Sequence, residues 1–279
     1  MIDVIESTIL IIVSFFQGVL GTVSGGGGGT FVVPIIVATV NENPSVLVGS
    51  VFFMYVVSSA TGLVVFWRKR LVDFRTGIPL AIPTIPGVLI GTLLESVVSN
   101  AEFKIGLGAL TIFLAVCLLL FKREETAKPE GLSEKTVSDV SLKKERRITD
   151  QSGRTFSYVP RISYGVILNF AAGLVAGLFG AGAAVIIVPV IILLVKMPSL
   201  IAIATSRLVL TALNVSAVLT HVGIGSISPY YALVLGTGSI VGTVLGARIA
   251  FKIKGEHLTK IIVIVLVFVG VYLLISQFA

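Results

Sequence analysis

Two runs of small residues are the first candidates for chemistry. They are Ser24-Gly25-Gly26-Gly27-Gly28-Gly29-Thr30 and Gly180-Ala181-Gly182-Ala183. Each interrupts an apolar stretch, and each is followed by a short apolar piece, residues 30–40 and 183–195. A helix that begins at such a break presents unpaired N–H groups and about half a positive charge. Glycine lets the backbone approach a ligand and adopt positive φ. An oxyanion can be held there without a basic side chain. Half-helices starting near Thr30 and Ala183 are expected to aim their N-termini inward from opposite faces. The competing use of these glycines is close helix packing or a tight turn.

Polar side chains within apolar runs form the second set. Ser50, Thr205, Ser206, Arg207 and Asn214 are candidates to bind an anion, with Ser58, Ser59 and Thr61 as a further cluster. Hydroxyls can donate to anion oxygens, but they can equally bond the carbonyls of their own helix. Arg207 is the clear charge inside a run. It has two readings, a bidentate fork on the anion or a side chain snorkelling toward the nearer interface. Glu95 lies by a span end and no Asp or Glu sits near a span middle, so no carboxylate proton relay is visible. His221, at a span end, reads as an interfacial histidine rather than a shuttle. The one cysteine, Cys117, allows no internal disulfide, and His221 and His257 are far apart. No metal and no cofactor are expected.

These residues need a frame, and composition says which. The chain has 279 residues, 55% hydrophobic and 13% charged, with mean hydropathy +1.05. That is too little polar surface for a water-soluble enzyme of this size. Six runs can cross a hydrocarbon layer: 45–66, 76–98, 103–121, 199–220, 230–251 and 258–277. Regions 4–40 and 162–195 instead read as broken or re-entrant hairpins. Pro83 and Pro86 should kink the 76–98 helix. The N-terminal stretch carries Asp3 and Glu6 rather than a basic run, so no cleaved signal peptide is expected.

The formal charge of +7 orients the spans. With 67–75 and the 122–161 loop on the cytoplasmic side, all of the 21 Lys and Arg except Lys104 and Arg207 fall inside. Both termini are then outside, and each half has one hairpin and three crossings. An odd number of crossings inverts the second half. The basic excess is thus topological, and no nucleic-acid partner is expected.

A shift of 155 relates the halves. It carries Gly18 to Gly173, Gly25 to Gly180, Gly27 to Gly182, Pro34 to Pro189, Ser50 to Thr205, Gly87 to Gly242 and Gly91 to Gly246. The expected organisation is a first repeat at 1–121, a cytoplasmic polar linker at 122–161, and a second, inverted repeat at 162–279. The linker has too few large apolar residues for a core and reads as a connector, partly disordered or helical. The fold expected is an all-α polytopic membrane protein of two inverted-topology repeats. Such repeats with broken helices are the architecture of secondary transporters.

The paired segments GVLGTVSGGGGGTFVVP (18–34) and GLVAGLFGAGAAVIIVP (173–189) resemble the signature of the sulfite exporter TauE/SafE family. The resemblance spans both halves. It implies a permease in the cell membrane for small sulfur-containing anions, sulfite or organosulfonates. Import or export, a coupling ion (H+ or Na+) and a homo-oligomer are left open. The second copy has Ala181, Ala183 and Ala184 in place of a strict glycine run, which weakens direct backbone contact there. Two alternatives stand beside this reading. Ala204-Thr205-Ser206-Arg207 faintly resembles the Ser-Arg site of membrane lipid-pyrophosphate phosphatases, though acidic groups for that chemistry are missing from the spans. A passive anion channel is the other.

Overall fold

The computed structural model describes residues 4–24, 44–94, 145–179, 183–253 and 255–275, with isolated positions between 32 and 42 and between 109 and 119. Both glycine breaks, most of the span expected at 103–121 and the linker up to 144 lie outside the described residues.

The described chain is mostly helical. Its helices are α1 (Val4–Val23), α2 (Pro44–Arg68), α3 (Phe74–Ala81), α4 (Thr84–Leu94), α5 (Ile162–Phe179), α6 (Ala183–Leu193), α7 (Ser199–Gly223), α8 (Pro229–Lys252) and α9 (Gly255–Ile275). Among the described residues, five stretches are long and apolar enough to cross a membrane: Glu6–Val23, Val46–Arg68, Phe74–Leu94, Ser199–Gly223 and Pro229–Lys252. The fourth of these, α7, is the most enclosed. In it 67% of the span is buried, against 39% in α1.

The expected kink is a full break. A turn at Ile82-Pro83 separates α3 from α4. Proline has no N–H to give and its ring clashes with the preceding turn, so the ladder stops there. Thr84 Oγ1 donates to the Ala81 carbonyl at 2.6 Å and takes up one of the freed acceptors.

The linker departs from expectation. Its described end is neither helical nor irregular but an antiparallel β-hairpin, β1 (Arg146–Thr149) and β2 (Thr155–Tyr158), in the register Arg146↔Tyr158 and Thr149↔Thr155. Asp150 builds the turn. Its Oδ1 accepts the N–H groups of Ser152 (2.8 Å) and Arg154 (2.9 Å), and its Oδ2 takes the Arg154 guanidinium at 2.7 Å. Gly153 supplies the left-handed step at φ 83°.

Packing runs mainly between residues before the linker and residues after it. Helix α1 packs on α8, α4 on α5, and α2 on both α7 and α8. The first two contacts repeat each other at the shift of 155. Gly18 faces Gly242, and Gly173 faces the start of α4 beside Gly87. A Cβ added at Gly18 would lie 2.6 Å from the Ser239 carbonyl, and one at Gly173 would lie 2.5 Å from the Thr84 carbonyl. Only a bare backbone permits such approach. Helices α2 and α7 cross antiparallel: Phe52 meets the His221 ring, Ser59 meets Asn214, and Gly62 meets Arg207.

Candidate functional site

Helix α7 carries most of the described candidates, because an apolar 25-residue helix enclosed on several sides must turn its polar residues toward neighbours. Thr205 and Arg207 both do so. The Thr205 Oγ1 accepts the backbone N–H of Asp73 at 3.1 Å. Arg207 is 2% exposed. Its guanidinium does not snorkel. The Nη2 donates to the carbonyl of Gly21, in the last turn of α1, and the Nε is buried with no partner. Helix ends leave carbonyls unpaired and carry partial negative charge, so a cation is well placed there. Gly62 makes the room. A Cβ on it would lie 3.0 Å from Arg207 Cδ.

The other candidates divide into two kinds. Ser24 Oγ donates to the Leu20 carbonyl at 2.7 Å and Ser206 Oγ to the Ile203 carbonyl at 2.8 Å, so both hydroxyls are spent on their own helices. Asn214 Nδ2 lies 3.5 Å from Ser59 Oγ, near the middle of the α2–α7 crossing. Ala183 is buried and opens α6. Gly25, Gly26, Gly27, Gly28, Gly29, Thr30, Gly180, Ala181 and Gly182 lie outside the described residues.

Ser50 is not brought to the same place as Thr205. Its Oγ accepts the backbone N–H of Ser228 at 3.1 Å and reaches the Val46 carbonyl at 2.8 Å. Because α2 and α7 are antiparallel, the two hydroxyls sit toward opposite ends of the pair. At 1.5 Å per residue that separation is about 20 Å, too far for one small ligand. The pairs Ser50–Ser228 and Thr205–Asp73 nonetheless match at the shift of 155 on both members. In each, a hydroxyl from one side of the linker holds the N-terminal turn of a helix from the other side.

The reach of α6 is set by its length. The Arg161 N–H donates to the Val195 carbonyl at 3.1 Å, so the start of α5 meets the end of α6. Eleven helical residues rise about 16 Å, roughly half a hydrocarbon core of about 30 Å. Helix α6 is thus too short to cross such a core alone.

Further polar residues line the same interior and, apart from Ser58, were missed from sequence. Ser58 and Thr243 share a hydrogen bond at 2.8 Å, and Ser239 Oγ donates to Gln17 Oε1 at 3.3 Å. Thr22 Oγ1 and Asn169 Oδ1 are buried without partners. Gln17 and Asn169 stood alone in apolar runs, which was the available signal.

Asp73 was also missed. It caps α3, accepting the Thr76 N–H at 3.1 Å and the Thr76 hydroxyl at 2.5 Å. Its Oδ2 also accepts from the Tyr158 hydroxyl of β2 at 2.7 Å. Burial, and then the neighbouring Asp73 carboxylate, holds the Tyr158 phenol far above its usual pKa, so it is a neutral donor.

Comparison with known proteins accords with this architecture. The profile of the family described as Sulfite exporter TauE/SafE matches residues 10–273. "Probable membrane transporter protein YunE" of Bacillus subtilis (strain 168) is 26% identical over 273 residues, covering 95% of this chain and 96% of the relative. "Probable membrane transporter protein MJ0441" of Methanocaldococcus jannaschii is 24% identical over 286 residues, covering 96% and 95%. A "Probable membrane transporter protein" of Xylella fastidiosa (strain Temecula1) is 23% identical over 271 residues, covering 96% and 93%. No solved structure matches. With a family match over nearly its whole length and five span-long apolar stretches among the described residues, the chain is a multi-pass α-helical membrane protein and belongs to the sulfite exporter TauE/SafE family.

Proposed function

We propose that the protein is a secondary transporter of small sulfur-containing anions, sulfite or organosulfonates, working by alternating access between two inverted repeats. The observation that carries this reading is Arg207. It is a buried guanidinium with one N–H spent on the Gly21 carbonyl and an unspent Nε. A charge at depth costs at least about 2.5–3.5 kcal/mol on insertion scales and is kept where it has work to do. An oxyanion beside Nε would neutralise it. The glycine run that follows α1 and the N-terminus of α6 would add backbone N–H donors.

The paired contacts Ser50–Ser228 and Thr205–Asp73 support the repeat, since each half clasps the other in the same way. Basic residues at 67–75 and 122–161 support a cytoplasmic linker and outward termini. The coupling ion is H+ or Na+.

Flux in proteoliposomes tests the reading. Radiolabelled sulfite and a short alkyl sulfonate are offered under imposed proton and sodium gradients, with empty liposomes as control. Saturable flux of either anion, accelerated by one gradient, is expected. Flux no faster than in empty liposomes across a panel of sulfur oxyanions would overturn it.

A further inference from the structure

We propose that the β-hairpin ending the linker is a latch that holds one side of the transport path shut, with the Tyr158–Asp73 hydrogen bond as its catch. The proposal rests on the transporter reading above and concerns the regulation of the same site.

Four bonds fasten this segment, and they reach both halves. Tyr158 donates to Asp73 Oδ2 at 2.7 Å, and both residues are 6% exposed. The Gln151 Nε2 donates to the Arg68 carbonyl at 2.5 Å, and its backbone N–H to the Lys69 carbonyl at 3.4 Å. Immediately after β2, the Arg161 N–H donates to the Val195 carbonyl at 3.1 Å. The α2–α3 turn of the first half and the α6 end of the second are thus strapped by one stretch of chain.

The catch connects directly to the candidate site. Asp73 accepts the Tyr158 hydrogen bond with its carboxylate and donates its own backbone N–H to Thr205 Oγ1. Parting α3 from α7 on the linker side therefore breaks the Thr205 bond and pulls on the catch together.

The repeat shows why such a device has leverage. At the shift of 155 the counterpart of Asp73 is Ser228, which starts α8. Its N–H is held by Ser50, as that of Asp73 is held by Thr205, but its side chain makes no cap bond. Among the described residues no hairpin covers that end. Two halves that exchange roles would have inward- and outward-open states of equal energy if they were identical. Only differences between them set the balance. A buried bond to a carboxylate, present at one end and missing at its equivalent, is such a difference. It favours the state in which the linker side is closed.

Cysteine labelling tests this without requiring transport. In a Cys117→Ser background, Ala202→Cys places a thiol three residues before Thr205 on the same face of α7, and Leu47→Cys places one at the equivalent position before Ser50. Both positions are buried. Labelling rates with a water-soluble maleimide are measured in detergent, with and without Tyr158→Phe, which removes one oxygen. A hydrogen bond to a charged group shifts an equilibrium by about tenfold or more. The expected result is about a tenfold faster reaction at Ala202→Cys and a slower one at Leu47→Cys. Gln151→Ala, which leaves Asp73 untouched, should move both rates the same way by less.

Unchanged rates at both positions in both variants would overturn the latch, as would equal acceleration at both ends, which reports general loosening. Failure of the transporter reading shows separately, as absent anion flux in the parent protein.

Discussion

The Arg207 guanidinium donates to the Gly21 carbonyl, across the interface between α7 and α1. This bond ties the membrane-embedded charge to the residue from which the chain runs into Gly25–Gly29. Arg207→Lys keeps the charge but gives up the planar fork, so all donors sit on one nitrogen and cannot reach a carbonyl and an anion held on separate sides of the group. Anion flux in proteoliposomes should fall about tenfold or more, with thermal unfolding in detergent changed little. Arg207→Ala also leaves a buried carbonyl unpaired and should cost about 1–3 kcal/mol of stability. Full flux in Arg207→Lys would assign the residue to charge alone.

The helix-to-helix glycines make a second prediction, on stability. Gly18 and Gly242 meet backbone to backbone, and a Cβ at Gly18 would lie 2.6 Å from the Ser239 carbonyl. Gly18→Val should push α1 from α8 and cost about 1–3 kcal/mol or more. Gly223→Ala is the control, because a Cβ there meets nothing within 4 Å. Comparable thermal unfolding of both variants would show that the close approach carries no stability.

Much of this fold was legible because membrane helices announce themselves by length and apolarity. Four of the five span-long stretches start and end within a few residues of runs expected to cross, the fifth, Glu6–Val23, lies in the region 4–40 expected to be a broken hairpin, and Pro83 marked the break between α3 and α4. The hairpin was not legible. Its strands, Arg146–Thr149 and Thr155–Tyr158, are four residues each and mostly polar, so alternation of apolar residues was too weak to register. Its turn signal, Asp150 followed by Gly153, was present in the sequence.

The site misled for a geometrical reason. Ser50 and Thr205 align at the shift of 155, which suggested one shared pocket. Equivalent positions on two antiparallel helices meet only where the helices cross. Away from the crossing they lie on opposite sides of it. Asn214 with Ser59 lies near the crossing of α2 and α7, whereas Ser50 and Thr205 lie toward its two ends. At the shift of 155 Arg207 falls on Phe52, so the charge has no counterpart there.

Those two hydroxyls make the third prediction. Thr205→Val preserves shape and leaves the buried N–H of Asp73 unpaired, while Ser50→Ala does the same to the partly buried N–H of Ser228. An unpaired buried donor costs about 1–3 kcal/mol, and less where water can reach it. Thr205→Val should therefore lower the unfolding temperature more than Ser50→Ala. The reverse order would mean that the α3 N-terminus is held chiefly by the Asp73 side chain.

The last prediction concerns acid and the linker hairpin. Burial pushes the Asp150 carboxyl upward, but the Arg154 guanidinium, the backbone N–H groups of Arg154 and Ser152, and the Arg154 charge outweigh it. The pKa lies below its ordinary value of 3.8. A carboxylate depressed by folding stabilises the folded form above the unfolded pKa, and that contribution is lost as pH falls through the folded value. The hairpin turn should thus be unaffected from neutral pH down to about 4.5 and loosen progressively below 3.8. Hydrogen exchange at the Ser152 and Arg154 amides, corrected for intrinsic rates, reads this directly, since both donate to Asp150 Oδ1. Asp150→Asn keeps that acceptor but loses the charge. Its protection should be weaker than the parent's near neutral pH, and the gap should close as the parent's carboxylate is protonated in acid. Parent protection that stays flat into strong acid would mean that the turn is held by its backbone, with the Arg154 pairing incidental.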